Sequence, residues 1–188
     1  MKPLCIAHRG KHDKYFENTL NAFKSATRGD YFGIETDIHL TKDNYWVVHH
    51  DPDFLSNGQK YVIAELTKDE VIKLPLDNDQ NDKEAYIPLF EDYLKICKES
   101  GKRPIIEFKP KNPKMKYIKQ VVKFVEESFG ISNVTFIAFY PWPLIKLTLL
   151  IPKYSSTSLT TCLMYFIFGF FGLNSIIGRF PLSLHIFR

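Results

Sequence analysis

Four short segments of this chain carry side chains able to do chemistry: His8-Arg9-Gly10, Glu35-Thr36-Asp37, His49-His50-Asp51 and Glu107-Phe108-Lys109. Each closes a short run of strand character. Imidazoles exchange protons near neutral pH because their unperturbed pKa lies close to it. Carboxylates gathered from separate strand ends hold a hard divalent cation through oxygen, which suits Ca²⁺ or Mg²⁺ far better than a thiolate-seeking metal. Arginine and lysine supply positive charge for a phosphate. Such a set fits displacement at phosphorus, where negative charge builds on the equatorial and leaving oxygens. Two imidazoles could then divide the proton transfers, an effect worth roughly 10²–10⁴-fold for positioned groups.

The segments need a scaffold, and the chain between them alternates strand with helix. Leu4 to Ala7 is a short apolar run that emerges at His8. Asn18 or Thr19 can cap a helix with Leu20, Phe23 and Ala26 on one face, stopped by Gly29. Ile34, Thr36 and Ile38 alternate with Glu35, Asp37 and His39, a strand period that puts the two acids on one face. After a turn at Thr41-Lys42-Asp43-Asn44, Tyr45 to Val48 returns as a strand ending at His49-His50-Asp51. Residues 52–87 form a polar stretch, read as a small inserted lobe or long loop, with Asn57-Gly58 and a short helix near Thr67 to Lys73. Leu89, Tyr93, Leu94 and Cys97 then mark a helix ended by Gly101, and Pro104 to Phe108 a strand with Glu107 and Lys109 on the same face. An amphipathic helix over Lys116 to Phe129, a strand over Val134 to Phe139 and a helix over Trp142 to Leu150 complete the pattern. Alternation of this kind predicts an α/β fold with a parallel sheet, most often closed as a TIM-type (β/α) barrel whose active site lies at the strand C-termini.

Length and composition agree with a single domain over residues 1–188. A formal charge of +4, evenly mixed through the first two-thirds, argues against a nucleic-acid partner. Cys5, Cys97 and Cys162 are odd in number and widely spaced, so neither a disulfide framework nor a zinc cluster is indicated. Unpaired thiols and the lack of a secretory pattern before His8 make a cytoplasmic location the expectation.

His8-Arg9-Gly10, Glu17-Asn18-Thr19, Glu35-x-Asp37, Val47-Val48-His49-His50-Asp51, Ile87-Pro88-Leu89 and Glu107-x-Lys109, in this order, resemble the glycerophosphodiester phosphodiesterases over about Leu4 to Ile151. Taken singly the residues have plainer readings: Glu35 and Asp37 as a solvated strand face, Glu107 and Lys109 as a surface pair, either histidine as a structural one. Six segments in the family's order outweigh these. The resemblance implies a barrel that hydrolyses glycerophosphodiesters to sn-glycerol 3-phosphate and an alcohol. It implies Glu35, Asp37 and Glu107 as ligands of one divalent cation, His8 and His50 as the acid/base pair, and Arg9 and Lys109 as the phosphate contacts. His50 is chosen over His49 because it directly precedes Asp51, and Glu17 is assigned to support of the helix start and its neighbours rather than to the chemistry.

The chain departs from the family pattern after these segments. Ala138 stands before Phe139 where the family usually has serine, and the family's Trp-Thr-x-Asn and Thr-Asp-x-Pro strands have no counterpart before Arg188. Barrels of this type need about 200 residues or more, so the expected barrel is incomplete at its C-terminal side, with low solubility or an oligomer as the consequence of open strand edges. No Asp or Glu follows Glu127, and residues 154–178 hold no charge. That segment suits buried core and also membrane contact, since about 20 apolar residues cross a bilayer. The competing functional expectation is a weakly active or inactive relative that binds glycerophosphodiesters or membrane lipid.

Overall fold

The computed structural model describes residues 4–151 and the backbone of residues 184–187; the uncharged segment 154–178 lies outside the described residues. Strand β1 (Leu4–Ala7) runs out at His8, and helix α1 (Leu20–Thr27) brings the chain back into β2 (Gly33–Leu40), which lies parallel to β1 with Ala7 opposite Ile34. Of the two candidate caps it is Thr19 whose Oγ1 accepts from the Ala22 N–H, at 3.3 Å. Ala22, Phe23 and Ala26 recur three and four residues apart, so α1 buries one face. Strand β2 is buried along both faces for six of its eight residues, as a barrel wall must be and a one-sided sheet is not.

Asn44, with φ of 68°, turns β2 into the antiparallel β3 (Trp46–Val48). The polar stretch that follows has a fold of its own. Strands β4 (Asp53–Ser56) and β5 (Gln59–Val62) form a separate hairpin across Asn57 and Gly58, whose φ values of 50° and 75° are those of a two-residue turn matched to strand twist. The four-residue α2 (Lys68–Val71) follows, with Thr67 and Glu70 in a reciprocal capping box. Val47, Phe54, Ile63, Val71, Leu76, Ala85 and Ile87 bury a second apolar cluster here, on which Phe16 of the first loop also packs.

Helix α3 (Phe90–Ser100) ends where Gly101 takes the left-handed conformation, at φ of 67°. It buries Phe90, Tyr93, Leu94 and Cys97. Tyr93 is fully buried, and its hydroxyl donates to the Ile34 carbonyl at 2.6 Å, which ties α3 to β2. Strand β6 (Arg103–Phe108), helix α4 (Met115–Ser128), strand β7 (Thr135–Ala138) and helix α5 (Pro141–Leu150) continue the alternation. Strand β8 (Leu184–Phe187) pairs with β1 in parallel.

The main sheet therefore runs β7-β6-β2-β1-β8, all parallel, with β3 joined antiparallel to β2. Among the described residues no pairing joins β7 to β8, so this is an open part of a (β/α) barrel rather than a closed ring. Helices cover one side, and Phe23, Tyr93, Phe108, Ile118, Val121 and Phe136 belong to the buried core they enclose. Side chains of this size contribute about 1.5–3 kcal/mol each when fully buried. No helix among the described residues is long and apolar enough to cross a membrane.

Candidate active site

Register brings the acids together. Asp37 on β2 stands directly opposite Glu107 on β6, seventy residues away in the chain, and Glu35 lies two positions back on the same face as Asp37. One oxygen from each of Glu35, Asp37 and Glu107 lies within 4.8 Å of the others. Glu35 is 2% exposed and Asp37 is fully buried.

The first loop supplies the cations and most of the polar partners. Arg9, Gly10 and Asn18 all take positive φ, at 56°, 82° and 55°. The loop closes through Lys11 N–H to Ala22 O at 2.9 Å and Asn18 N–H to Arg9 O at 3.0 Å. Glycine is required at position 10 on two counts, because a Cβ there would sit 2.7 Å from the Ala22 carbonyl carbon as well as on a left-handed backbone. The turn aims the Arg9 N–H at Glu35 Oε2 (3.0 Å) and the His8 Nε2 toward the same oxygen (3.9 Å). Arg9 Nε stands 3.4 Å from Asp37 Oδ2, while its Nη1 is held by Glu17 Oε1 at 2.7 Å.

Glu17 thus clamps the arginine of the neighbouring loop. Asn18 is not the cap but a partner of the acid cluster: it is buried, donates from Nδ2 to Asp37 Oδ2 at 2.8 Å, and accepts from Thr36 Oγ1 at 3.0 Å. The sequence signal for both was there in the adjacency of Glu17-Asn18-Thr19 to the strand-end loop, but only Thr19 followed the capping logic.

Charge in the cluster is unevenly shared. Burial, then the neighbouring Asp37 carboxylate, raises the Glu35 carboxyl well above the usual carboxylate range. Burial pushes Asp37 the same way, but the Lys109 ammonium, the Asn18 amide and Arg9 outweigh it and hold Asp37 below the ordinary value. Lys109 Nζ lies 3.0 Å from Asp37 Oδ1 and 3.0 Å from Glu107 Oε1. Burial lowers the ammonium's pKa, and the two carboxylates more than restore it, so Lys109 is held above its usual value. Burial, with Arg9 beside it, lowers His8, which favours a neutral ring.

Glu35 Oε1 is buried and has no hydrogen-bond partner. An orphaned carboxylate oxygen in the middle of three converging acids is costly to a protein by itself. A hard cation satisfies it, and an all-oxygen donor set is the kind Ca²⁺ and Mg²⁺ take. The residues therefore fit the ion expected of them.

His50 has partners of its own. It follows β3, its Nδ1 is 2.9 Å from Asp51 Oδ1, its side chain is about one-third exposed (32%), and its carbonyl meets His39 Nε2 at 3.1 Å. Among the described residues no hydrogen bond or ion pair links its ring to the three acids. His49 is turned into the second apolar cluster, where its ring meets Phe54 edge to face and burial, then His39, lowers its pKa to about 4.

A family model for the glycerophosphoryl diester phosphodiesterase family matches residues 8–162. The chain belongs to that family. A glycerophosphodiester phosphodiesterase of Caldanaerobacter subterraneus subsp. tengcongensis is 46% identical over 76 residues, which is 39% of this chain and 31% of that protein. A glycerophosphodiester phosphodiesterase of Bacillus altitudinis is 30% identical over 133 residues, 68% of this chain and 54% of that one. The crystal structure of a glycerophosphodiester phosphodiesterase from Parabacteroides distasonis overlays with a TM-score of 0.67 at 28% identity, covering 80% of this chain and 62% of the other. The chain spans about a third to about half the length of these curated relatives. Its family membership accounts for the barrel-type sheet and for the order of the segments that line the site.

Proposed function

We propose that this chain is a divalent-cation-dependent phosphodiesterase that hydrolyses glycerophosphodiesters to sn-glycerol 3-phosphate and a free alcohol. The observation that carries this reading is the meeting of Glu35, Asp37 and Glu107 beside His8, with a buried Glu35 oxygen that no protein group satisfies. These three acids would hold one Ca²⁺ or Mg²⁺, which when bound would draw charge from a phosphoryl oxygen.

The chain's own side chains divide the remaining work. In the overall reaction the phosphorus–oxygen bond to the alcohol breaks, the oxygen of one water molecule ends on phosphorus in its place, and one proton of that water ends on the released alcohol. His8, kept neutral by burial, is suited to accept the proton of the attacking hydroxyl or return it to the alcohol. His50 takes the complementary role. Support for it comes from Asp51, which orients the ring through Nδ1 and leaves Nε2 to exchange the proton. Arg9, steadied by Glu17, and Lys109 would contact the phosphate oxygens.

The test is release of sn-glycerol 3-phosphate from glycerophosphocholine and glycerophosphoethanolamine. Expected is release with Ca²⁺ or Mg²⁺, none in EDTA, and a fall of roughly 10²–10⁴-fold in each of His8→Ala and His50→Ala. Rates left intact in both variants would overturn the assignment. Cation and substrate binding without any release would leave a ligand-binding relative as the better reading.

A further inference from the structure

Lys109 does more in this geometry than wait for a phosphate. Its ammonium lies between two acids that face each other across β2 and β6, 3.0 Å from each. Toward Glu107 Oε1 the contact is a well-aligned hydrogen bond, whereas the contact with Asp37 Oδ1 is equally short but less well aligned. The second Asp37 oxygen is committed to the Asn18 amide at 2.8 Å and has Arg9 Nε at 3.4 Å. Oδ1 is thus the less committed of the two Asp37 oxygens, and Lys109 sits beside it. Glu35 Oε1 is uncommitted. A divalent ion held there would find Glu35 Oε1 unclaimed, with Lys109 against Asp37 Oδ1 and against one of the two Glu107 oxygens.

Resting on the cation reading above, we propose that Lys109 is a tethered counter-ion that competes with the divalent cation for Asp37 and Glu107, so that cation binding drives its ammonium from the carboxylates toward the phosphate. Two positive centres cannot share oxygens that lie within 4.8 Å of one another without strong repulsion in a half-buried site. The lysine is the one able to yield, because it is a point charge on a flexible four-carbon stem, while Arg9 is pinned by Glu17. Its displacement is then useful, since it places a positive charge beside the ion where the anionic substrate must lie. Reciprocity follows: an anion that holds Lys109 away from the acids tightens cation binding by the same factor as the cation tightens the anion.

The test is calorimetric titration of the EDTA-treated chain with Ca²⁺ and with Mg²⁺, for wild type, Lys109→Met and Lys109→Arg. Removing the competing charge should tighten cation binding in Lys109→Met by about tenfold or more. The charge-retaining Lys109→Arg should stay near the wild type. Without cation, Lys109→Met should melt below the wild type, because its buried acids have lost their counter-ion. Should Lys109→Met fail to fold, Lys109→Gln, uncharged but still able to donate to both acids, carries the same expectation. Equal or weaker cation binding in the uncharged variants, with wild-type binding intact, would overturn this inference alone. A wild type that binds neither ion would overturn it together with the proposed cation dependence.

Discussion

Replacing Glu35 with glutamine keeps the shape of a buried side chain and removes one of three negative charges gathered within 4.8 Å. The amide oxygen can still accept from the Arg9 N–H that Glu35 Oε2 now takes at 3.0 Å. The new amide nitrogen can donate where Glu35 Oε1 had no partner. Two unit charges at this separation repel by about 3.5 kcal/mol at an effective dielectric constant near 20. Arg9 and Lys109 offset part of that, so a gain of about 1–2 kcal/mol in EDTA is expected from relief of the repulsion. The direction agrees with burial and the Asp37 carboxylate, both of which raise the Glu35 carboxyl.

With a divalent cation the order reverses. An ion at a hundred times its dissociation constant stabilises the wild type by about 2.7 kcal/mol. For a chain of this size that is a rise of about 5–10 °C in Tm. Glu35→Gln should show a rise of no more than about 2 °C under the same conditions. Thermal unfolding followed by circular dichroism, in EDTA and across a Ca²⁺ series, reads both quantities. A variant that melts several degrees below the wild type in EDTA and keeps the full calcium shift would refute the reasoning, for Glu35 would then be a structural acid satisfied by protein groups.

Three further outcomes are expected. Asn18→Ala leaves Asp37 and Thr36 each short of a buried partner and should cost about 1–3 kcal/mol in urea unfolding; a change within 0.5 kcal/mol, in the range of about zero typical of surface sites, would show that the amide is dispensable. Gly10→Ala should cost more than about 3 kcal/mol, from left-handed strain and overpacking together, while Gly101→Ala, at a similar φ of 67° but with nothing within 4 Å, should cost about 1 kcal/mol; equal costs would remove the packing argument. His49, with its pKa lowered to about 4, stays neutral in the folded chain while an unfolded imidazole gains its proton near 6.5. Stability is therefore lost as pH falls from about 6.5 to about 4, by about 3 kcal/mol at most, and His49→Gln should lose correspondingly less in denaturation curves at pH 7 and 4.5.

The strands and helices were largely legible because their apolar periods are strong: β2 from the alternation around Glu35 and Asp37, α3 from Tyr93, Leu94 and Cys97 with Gly101 as its stop. The three acids were legible as a set through order along the chain. What could not be read was register, and register is what puts Asp37 opposite Glu107 and so carries Lys109 onto Asp37. Loop backbone was equally hidden. Nothing local to Asn18 announces a φ of 55°, yet that conformation turns its amide from helix capping to Asp37. The hairpin β4–β5 escaped because its strands are four residues each and do not keep apolar side chains inside, Leu55 being exposed and Ser56 buried, although Asn57-Gly58 marks its turn.

The charged and titratable groups around the three acids come from β1, β2, β6 and the loops that leave them, which are immediate neighbours in the sheet. Among the described residues, and with the proposed His50 on the loop after β3, itself paired with β2, the candidate groups draw on one arc of the sheet. Substitutions on the rest of the sheet leave the spacing of these groups unchanged, so on the proposed reading substrate range and reactivity are free to evolve on separate stretches of the polypeptide.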